Sequence, residues 1–178
     1  VLAGPTAVGK GTVVAALTKR FPTLNVSISA TTRDPRPGEL NGVHYYFVST
    51  KEFDAMIERG DMLEWALVHG KNKYGTPRGP VDEALAAGKP VLLEIDLAGA
   101  RQVRTTRPDA QFIFLAPPSW EELEHRLIGR GTESPEEQAR RLTTARVELE
   151  AASEFDHVVI NDDVERAVDE LARLIGLE

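Results

Sequence analysis

Two hydrophobic patterns alternate along the chain. Short runs of apolar and β-branched residues predict strands, which begin at Val1 and lie over 25–29, 44–48, 62–68, 91–96, 111–115 and 157–160. Apolar residues spaced three and four apart predict helices over about 10–21, 49–60, 80–87, 98–105, 119–128, 134–152 and 164–175. Ser-x-x-Glu capping boxes that begin at Ser49, Ser119 and Ser134 predict three of these helix starts. Because strands and helices alternate, the sequence predicts an α/β fold with a parallel sheet.

A five-stranded parallel sheet flanked by helices is the predicted core, with strands that start at Val1, Asn25, Val91, Gln111 and His157. The segment 30–79 interrupts the alternation with closely spaced short strands, so it is interpreted as an inserted lobe of a single domain. Within it, the polar stretch 30–39 is broken by prolines and fits neither helix nor strand, and 70–79 predicts a loop.

Composition and charge exclude several classes of protein. The 178 residues are 42% apolar and 28% charged, which is ordinary for a globular domain. The net charge of −7 argues against a nucleic-acid-binding or anionic-membrane-binding surface. The absence of cysteine excludes disulfides and Cys-based zinc sites and suits the cytoplasm. The sequence leaves both a monomer and a homo-oligomer open.

A phosphate-binding loop follows the first strand. Its residues have the Gly-x-x-x-x-Gly-Lys spacing between a strand and a helix, and they are Gly4, Pro5, Thr6, Ala7, Val8, Gly9, Lys10, Gly11 and Thr12. Backbone N–H groups and the positive end of the helix would bind phosphate there. Gly11 stands where Ser or Thr usually binds Mg²⁺, so we expect metal contact from Thr12 through water. The alternative is an ordinary strand-to-helix turn.

Polar residues collect where the predicted strands end. They are Lys10, Ser29, Glu94, Asp96 and Asn161, and each alone could be a helix cap or a turn residue. Ligands of open parallel sheets bind at the carboxyl ends of the strands, which favours a shared site. Glu94 and Asp96 are two residues apart, so both side chains point to one face, where a cation or a ligand would offset the cost of burial.

Arginines form two groups on either side of this site. Arg33 and Arg36 lie in the proline-rich stretch, and four more flank a predicted hinge at 129–132, namely Arg126, Arg130, Arg140 and Arg141. Arginine binds phosphate oxygens with two parallel hydrogen bonds. We therefore expect a phosphoryl group held between two nucleotides, the alternative being solvated arginines on helix faces.

Several longer motifs carry a resemblance to a known family. They are Ser29-Ala-Thr-Thr-Arg-Asp-Pro-Arg-Pro-Gly-Glu39, Gly42-Val-His-Tyr-Tyr-Phe47, Glu64-Trp-Ala66, Tyr74-Gly-Thr76, Glu94-Ile-Asp-Leu-Ala-Gly-Ala100, Gly129-Arg-Gly-Thr-Glu133 and Val159-Ile-Asn-Asp162. With the phosphate-binding loop, they make the whole chain resemble guanylate kinase.

The resemblance implies a P-loop kinase fold with three parts. These are a core of 1–29, 80–118 and 145–178, a GMP-binding lobe of 30–79 and a small helical lid of 119–144. It also implies a cytoplasmic enzyme that transfers the γ-phosphate of ATP to GMP with Mg²⁺, giving ADP and GDP.

The resemblance further implies a role for individual residues. The implied catalytic residues are Lys10, Arg33, Arg130 and Arg141. ATP is implied to bind the loop from Gly4 to Thr12 together with Arg126 and Asn161. GMP is implied to bind Ser29, Arg33, Arg36, Tyr45, Glu64, Tyr74, Thr76, Glu94 and Asp96. The implied Mg²⁺ ligands are Thr12 and Glu94, through water.

The residues themselves make guanine a reasonable base. Guanine presents N–H donors at N1 and N2, which a Glu64 carboxylate could accept together, whereas adenine has a lone pair at N1.

Two rival hypotheses stay open on the sequence. One is a catalytically silent guanylate-kinase-like module that binds phosphopeptides, although Lys10 and Arg130 are retained. The other is a kinase of a different small phosphorylated acceptor.

Overall fold

The computed structural model describes residues 1–129 and 133–177. Its strands are β1 (Leu2–Ala3), β2 (Asn25–Val26), β3 (Ala30–Thr31), β4 (Tyr46–Phe47), β5 (Met62–Val68), β6 (Asn72–Pro77), β7 (Val91–Leu92), β8 (Ile113–Ala116) and β9 (His157–Ile160). Its helices are α1 (Lys10–Arg20), α2 (Thr50–Glu58), α3 (Arg78–Ala86), α4 (Leu97–Thr106), α5 (Trp120–Ile128), α6 (Pro135–Glu150) and α7 (Val164–Ile175), with a 3-10 helix over Ala151–Glu154.

The chain divides into two compact units, the first formed by the described residues of Val1–Leu24, Glu94–Leu97 and Gln111–Glu178. Its sheet is parallel, with strand order β1-β8-β9. Leu2, Leu17, Leu115 and Leu171 are fully buried in this unit. This core fixes the end of β1, from which the phosphate-binding loop starts.

The second unit comprises Asn25–Leu93 and Ala98–Ala110. It holds the parallel pair β2-β7 and a mixed sheet of order β4-β3-β6-β5, in which β6 runs antiparallel to both neighbours. Ala30, Phe53 and Met62 form a buried cluster with Trp65 against it. This cluster supports the sheet that carries Glu64, Tyr74 and Thr76, three of the predicted GMP-binding residues.

Side chains of α4 cover the outer edge of β5. The amide of Gln102 accepts from the backbone N–H of Trp65 at 3.0 Å and donates to its carbonyl at 2.9 Å. The Thr106 hydroxyl donates to the carbonyl of Leu63 at 2.7 Å. These side chains take the place of a neighbouring strand. Backbone groups on the edge of β5, which could otherwise pair with a strand of another chain, are therefore hydrogen-bonded within the unit.

The α/β fold and the helix starts are confirmed. The serine caps of the three predicted capping boxes are formed, because Ser49, Ser119 and Ser134 each accept from the backbone N–H three residues on, at 3.0–3.2 Å. The single five-stranded sheet is not confirmed, since its strands divide between two small sheets. The strand predicted over 91–96 ends at Leu92, and beyond it only an isolated bridge joins Glu94 to Leu2.

Two local predictions are wrong. The stretch 70–79, predicted as a loop, contains β6, and the stretch 30–39, predicted without a strand, begins with β3. Both strands are short, polar or rich in glycine and proline, so they lack hydrophobic alternation. Their backbone pairing comes from tertiary neighbours, which regularly override local strand preference.

Among the described residues, no helix combines the length and the apolar character needed to cross a membrane.

Candidate active site

The predicted site residues divide between the two units. The first unit holds the loop from Gly4 to Thr12 and also Glu94, Asp96, Arg126, Arg141 and Asn161. The second holds Ser29, Arg33, Arg36, Tyr45, Glu64, Tyr74 and Thr76. Arg130, with most of the predicted hinge, lies outside the described residues.

The phosphate-binding loop turns sharply after β1. A Cβ atom on Gly4 would lie 2.5 Å from the carbonyl oxygen of Leu115, so this position accepts only glycine without a shift of β8. Ala7 has φ 70° and Gly9 has φ 94°, both in the left-handed region. Gly9 is the N-cap of α1, and no described side chain caps the helix there. The first amides of α1 are therefore available to an anion.

Lys10 folds back across this loop. Its ammonium group donates to the carbonyl of Ile95 at 3.2 Å and that of Gly4 at 3.5 Å. Burial lowers the pKa of Lys10, and Glu94, Asp96 and Glu148 oppose that change by their negative charge. The ammonium group is thus hydrogen-bonded to two backbone carbonyls and lies within electrostatic range of three carboxylates.

Asn161 and Arg126 meet at the backbone of the loop. The amide of Asn161, which is buried, donates to the carbonyl of Val8 at 2.8 Å, and Arg126 donates to the same oxygen at 3.3 Å. A Cβ on Gly9 would lie 2.8 Å from the Asn161 nitrogen, so the second glycine of the motif is required for this approach. Two residues predicted to bind ATP are therefore brought to the loop.

Helix α6 lines an open cleft beside the loop. The cleft has a volume of about 620 Å³ and is bounded by Thr6, Glu137, Arg140, Arg141 and Thr144. The guanidinium of Arg141 forms an ion pair of 2.7 Å with Glu133, which immediately precedes the cap of α6. The cleft thus combines one residue of the loop with two arginines, and the arginine guanidinium is suited to binding phosphate oxygens.

Glu94 and Asp96 are both exposed, unlike the buried pair the sequence predicts. The reason is that β7 ends early. The side chains of Leu92 and Leu93 are buried in the core, and the residues between Leu93 and the start of α4 lie closer to the surface. Thr12 is also exposed, in the first turn of α1. Within 1–129 and 133–177, no cluster of three His, Asp or Glu residues is arranged to hold a metal by itself.

In the second unit, Glu39 holds the two arginines of the proline-rich stretch. Its oxygens accept from both terminal nitrogens of Arg33, at 2.8 and 3.0 Å, and from the backbone N–H of Arg36 at 2.7 Å. These bonds, led by those from Arg33, lower the pKa of Glu39 to about 2. The carboxylate therefore stays ionised and fixes the stretch in one conformation.

Two tyrosines surround the same guanidinium. The ring centroid of Tyr45 lies 5.2 Å from the central carbon of Arg33, and the rings of Tyr45 and Tyr74 meet edge to face at 6.1 Å. Hydrogen bonds that Arg33 donates, first to Glu39 and then to both tyrosines, raise the pKa of Arg33. Three of the predicted GMP-phosphate residues, Arg33, Tyr45 and Tyr74, thus form one contiguous group, and Arg36 is joined to it through its backbone N–H on Glu39.

The predicted guanine-recognition residues lie on β5 and β6. Glu64 pairs with Thr76 in the antiparallel register, and the buried Thr76 hydroxyl donates to the Glu64 carboxylate at 3.0 Å. Ser29 directly precedes β3, and its carbonyl accepts from the N–H of Tyr46 at 2.9 Å. The hydroxyl of Thr76 therefore orients the carboxylate that would accept the N–H groups of a purine.

Three carboxylates near these groups were missed as site residues. Glu39 stands three residues after Arg36, Glu133 precedes a capping box, and Glu148 lies in the last turns of α6. Glu39 and Glu133 had a signal in the sequence, because both belong to motifs that carry the resemblance. Glu148 had none, because its neighbours Thr6 and Lys10 lie far away along the chain.

Comparison with known proteins agrees with these features. The guanylate kinase family model matches residues 1–178. Guanylate kinase from Cutibacterium acnes is 59% identical over 177 residues, covering 99% of this chain and 89% of the relative. Guanylate kinase from Nocardia farcinica is 60% identical over 175 residues, covering 98% and 91%. The crystal structure of guanylate kinase from Anaplasma phagocytophilum superposes with a TM-score of 0.72 at 31% identity, covering 99% of this chain and 82% of that one. The chain belongs to the guanylate kinase family.

Proposed function

We propose that this chain transfers the γ-phosphate of ATP to GMP, giving ADP and GDP, with Mg²⁺ accompanying ATP in the cytoplasm. The family membership supports the activity as an ATP:GMP phosphotransferase. The observation that carries the proposal is the assembled phosphate-binding loop, with Lys10 folded into it and Asn161 and Arg126 on the Val8 carbonyl. A silent binding module has no use for such a loop, so this observation favours the enzyme.

On the donor side, the loop from Gly4 to Thr12 would hold the phosphates of ATP. The uncapped amides of α1 offer N–H donors, and Lys10 supplies a positive charge over the outer phosphates. Arg141 would meet the transferring phosphoryl group from the cleft beside α6, together with Arg130. In phosphoryl transfer this positioning and charge stabilisation supply most of the catalysis.

On the acceptor side, the group of Arg33, Arg36, Tyr45 and Tyr74 would hold the phosphate of GMP. Fixed arginines suit this task, because a phosphate misplaced by a fraction of an ångström loses in-line geometry. Arg33 is already oriented by Glu39 and by the tyrosines. Arg33 would also stabilise the charge of the transferring group.

Guanine selectivity would rest on Glu64 and Thr76, with Ser29 and Asp96 completing the base site. An ionised carboxylate accepts N–H donors from N1 and N2 of guanine but faces the lone pair at N1 of adenine. A site built on hydrogen bonds to the substrate rejects analogues strongly, because its own polar groups are left unpaired.

The residues near the loop fit a magnesium ion bound mainly through substrate. Mg²⁺ takes oxygen ligands and usually combines one or two protein groups with phosphates and water. Thr12 and Glu94 are exposed oxygen donors in the same unit as the loop, which suits contact through water. Bound there, the ion would neutralise charge on the phosphates of ATP.

A coupled assay of ADP release tests the function directly. The purified chain is given ATP and Mg²⁺ with GMP, AMP, CMP or UMP as acceptor. Turnover that depends on GMP and greatly exceeds that with the other three is expected. No GMP-dependent turnover would support the silent binding module, and equal turnover with another acceptor would support a different kinase.

A further inference from the structure

Strand β5 is irregular at the residue before Glu64. Met62 pairs with Pro77 of β6, and the next pair joins Glu64 to Thr76. Strand β5 therefore advances by two residues where β6 advances by one, which makes Leu63 the extra residue of a β-bulge. Bulges redirect the side chains beside them, and they are frequent next to functional sites.

The bulge decides which face of the sheet each neighbouring side chain occupies. Met62 and Trp65 are three residues apart, so in a regular strand they would lie on opposite faces. Here Met62 belongs to the buried cluster of the second unit, and Trp65 packs against the same cluster. A Cβ atom on Gly75 would lie 2.9 Å from the Trp65 Cβ and 3.1 Å from the Met62 sulfur, so both side chains share one face. Glu64 is thereby directed to the other face, where the Thr76 hydroxyl donates to it at 3.0 Å.

Helix α4 holds the backbone on both sides of Glu64. The Thr106 hydroxyl donates to the carbonyl of Leu63, the extra residue, at 2.7 Å. The side chain of Gln102 accepts from the N–H of Trp65 at 3.0 Å and donates to its carbonyl at 2.9 Å. All of these groups belong to the second unit. The two polar side chains thus fix the residue before Glu64 and the residue after it.

These hydrogen bonds also oppose a change of register. Shifting β5 by one residue would carry the Glu64 carboxylate to the face of the buried cluster, away from Thr76. Side chains that bond to the bulged backbone stabilise it relative to the shifted one. Covering the edge of the sheet would not require bonds at these particular residues, since β5 extends over Met62–Val68.

We propose that Gln102 and Thr106 are positioning residues for base recognition: they hold the bulge of β5 and so keep the Glu64 carboxylate directed at the N–H groups of guanine. Both act through the backbone of β5 rather than by contact with substrate. This inference rests on the proposed function, because base recognition is assigned to Glu64 there. Helix α4, which the resemblance assigns to the core, thereby contributes to acceptor selectivity.

The test compares Gln102→Met and Thr106→Val with Thr105→Val, an exposed position of the same helix. Methionine is close to glutamine in length but forms neither backbone hydrogen bond, and valine keeps the shape of threonine without its hydroxyl. We expect kcat/KM for GMP to fall about tenfold in Gln102→Met, which loses two hydrogen bonds, and about threefold in Thr106→Val, which loses one. The kcat/KM for AMP should stay within about twofold, because adenine lacks the N–H groups that the carboxylate accepts. Thr105→Val should match the parent chain.

Two further readouts distinguish positioning from stability. A purely structural role would lower the melting temperature and change turnover with GMP and AMP by the same factor, so the GMP-to-AMP ratio would not move. Hydrogen exchange at the Trp65 amide needs no turnover, and it should be faster in Gln102→Met and unchanged in Thr105→Val. Thr106→Val, which removes a single hydroxyl, tests the proposal even where Gln102→Met does not fold.

The outcomes separate the two proposals. If the parent chain shows no GMP-dependent ADP release, the proposed function fails, and calorimetric dissociation constants for GMP and AMP then test Gln102 and Thr106 through the same ratio. If the folded variants keep the GMP-to-AMP ratio within about twofold of the parent, the positioning role is wrong. Unchanged exchange at Trp65 in Gln102→Met would also refute it, and a parent chain that binds neither nucleotide would refute both proposals.

Discussion

Replacing Glu64 by glutamine should remove much of the preference for guanine. In the structure, the Thr76 hydroxyl donates to the Glu64 carboxylate at 3.0 Å and orients it. Glutamine has nearly the same shape, but one oxygen becomes an NH₂ donor. A donor placed opposite the N–H groups of guanine repels them, whereas toward adenine it could donate to N1.

The magnitude follows from the hydrogen bonds concerned. A hydrogen bond to a charged group contributes about 1.5–3 kcal/mol, and each 1.4 kcal/mol is tenfold in an equilibrium or rate ratio. Losing one such bond in the transition state should lower kcat/KM for GMP by about 10- to 150-fold. The kcat/KM for AMP should stay the same or rise. The ratio of kcat/KM for GMP to kcat/KM for AMP should therefore fall by at least the factor expected for GMP.

The assay is ADP release with GMP and AMP as acceptors, measured for the parent chain and for Glu64→Gln. Glu58→Gln, at an exposed position on α2, is the matched control and should behave like the parent. Thermal unfolding of each variant shows whether the fold is retained. An unchanged GMP-to-AMP ratio in folded Glu64→Gln would remove Glu64 from base recognition.

Three further predictions concern the loop, the arginine stretch and the glycines. Lys10→Ala should lower turnover at least tenfold with every accepted nucleotide, because it removes a charge that acts on the donor phosphates. A loss of ADP release with GMP, while turnover of the other accepted nucleotides stays unchanged, would contradict this. The pKa of Glu39 falls from 4.5 to about 2 in the folded chain. The stability that this carboxylate contributes is therefore complete above pH 4.5 and lost as the pH falls toward 2, so Glu39→Gln should flatten the pH dependence of the melting temperature in that window. Gly4→Ala should destabilise by about 1–3 kcal/mol through overlap with the Leu115 carbonyl, whereas Gly79→Ala, whose added Cβ meets nothing within 4 Å, should stabilise α3 by about 0.5–1 kcal/mol in denaturant titrations.

Local signals in the sequence were sufficient to predict the helices and the phosphate-binding loop. Capping boxes depend on side chains three residues apart, and a glycine-rich turn before a helix depends on backbone freedom, so neither needs knowledge of distant residues. Ser49 and Ser134 accordingly cap α2 and α6 as expected. The functional assignments came from the longer motifs, which local physics alone would not have joined into one site.

The failures arose where structure depends on distant partners. Strand β6 has a polar, glycine-containing sequence and exists because β3 and β5 pair with it on both sides. The exposure of Glu94 and Asp96 depends on the chain leaving the core after Leu93, which strand periodicity does not signal. Glu148 was overlooked for the same reason: its partners are about 140 residues away along the chain.

The acidic composition and the anionic substrates are compatible because three of the cations proposed to act on phosphate lie beside carboxylates. Arg33 is bound by Glu39, Arg141 by Glu133, and Lys10 lies among acidic groups that include Glu148. A neighbouring carboxylate weakens the long-range attraction of a cation for phosphate, but it also fixes the direction of the remaining N–H donors. Phosphoryl transfer depends more on placement than on total charge. A chain of net charge −7 can therefore act on nucleotides, since what the reaction requires is a few cations kept in place rather than a positive surface.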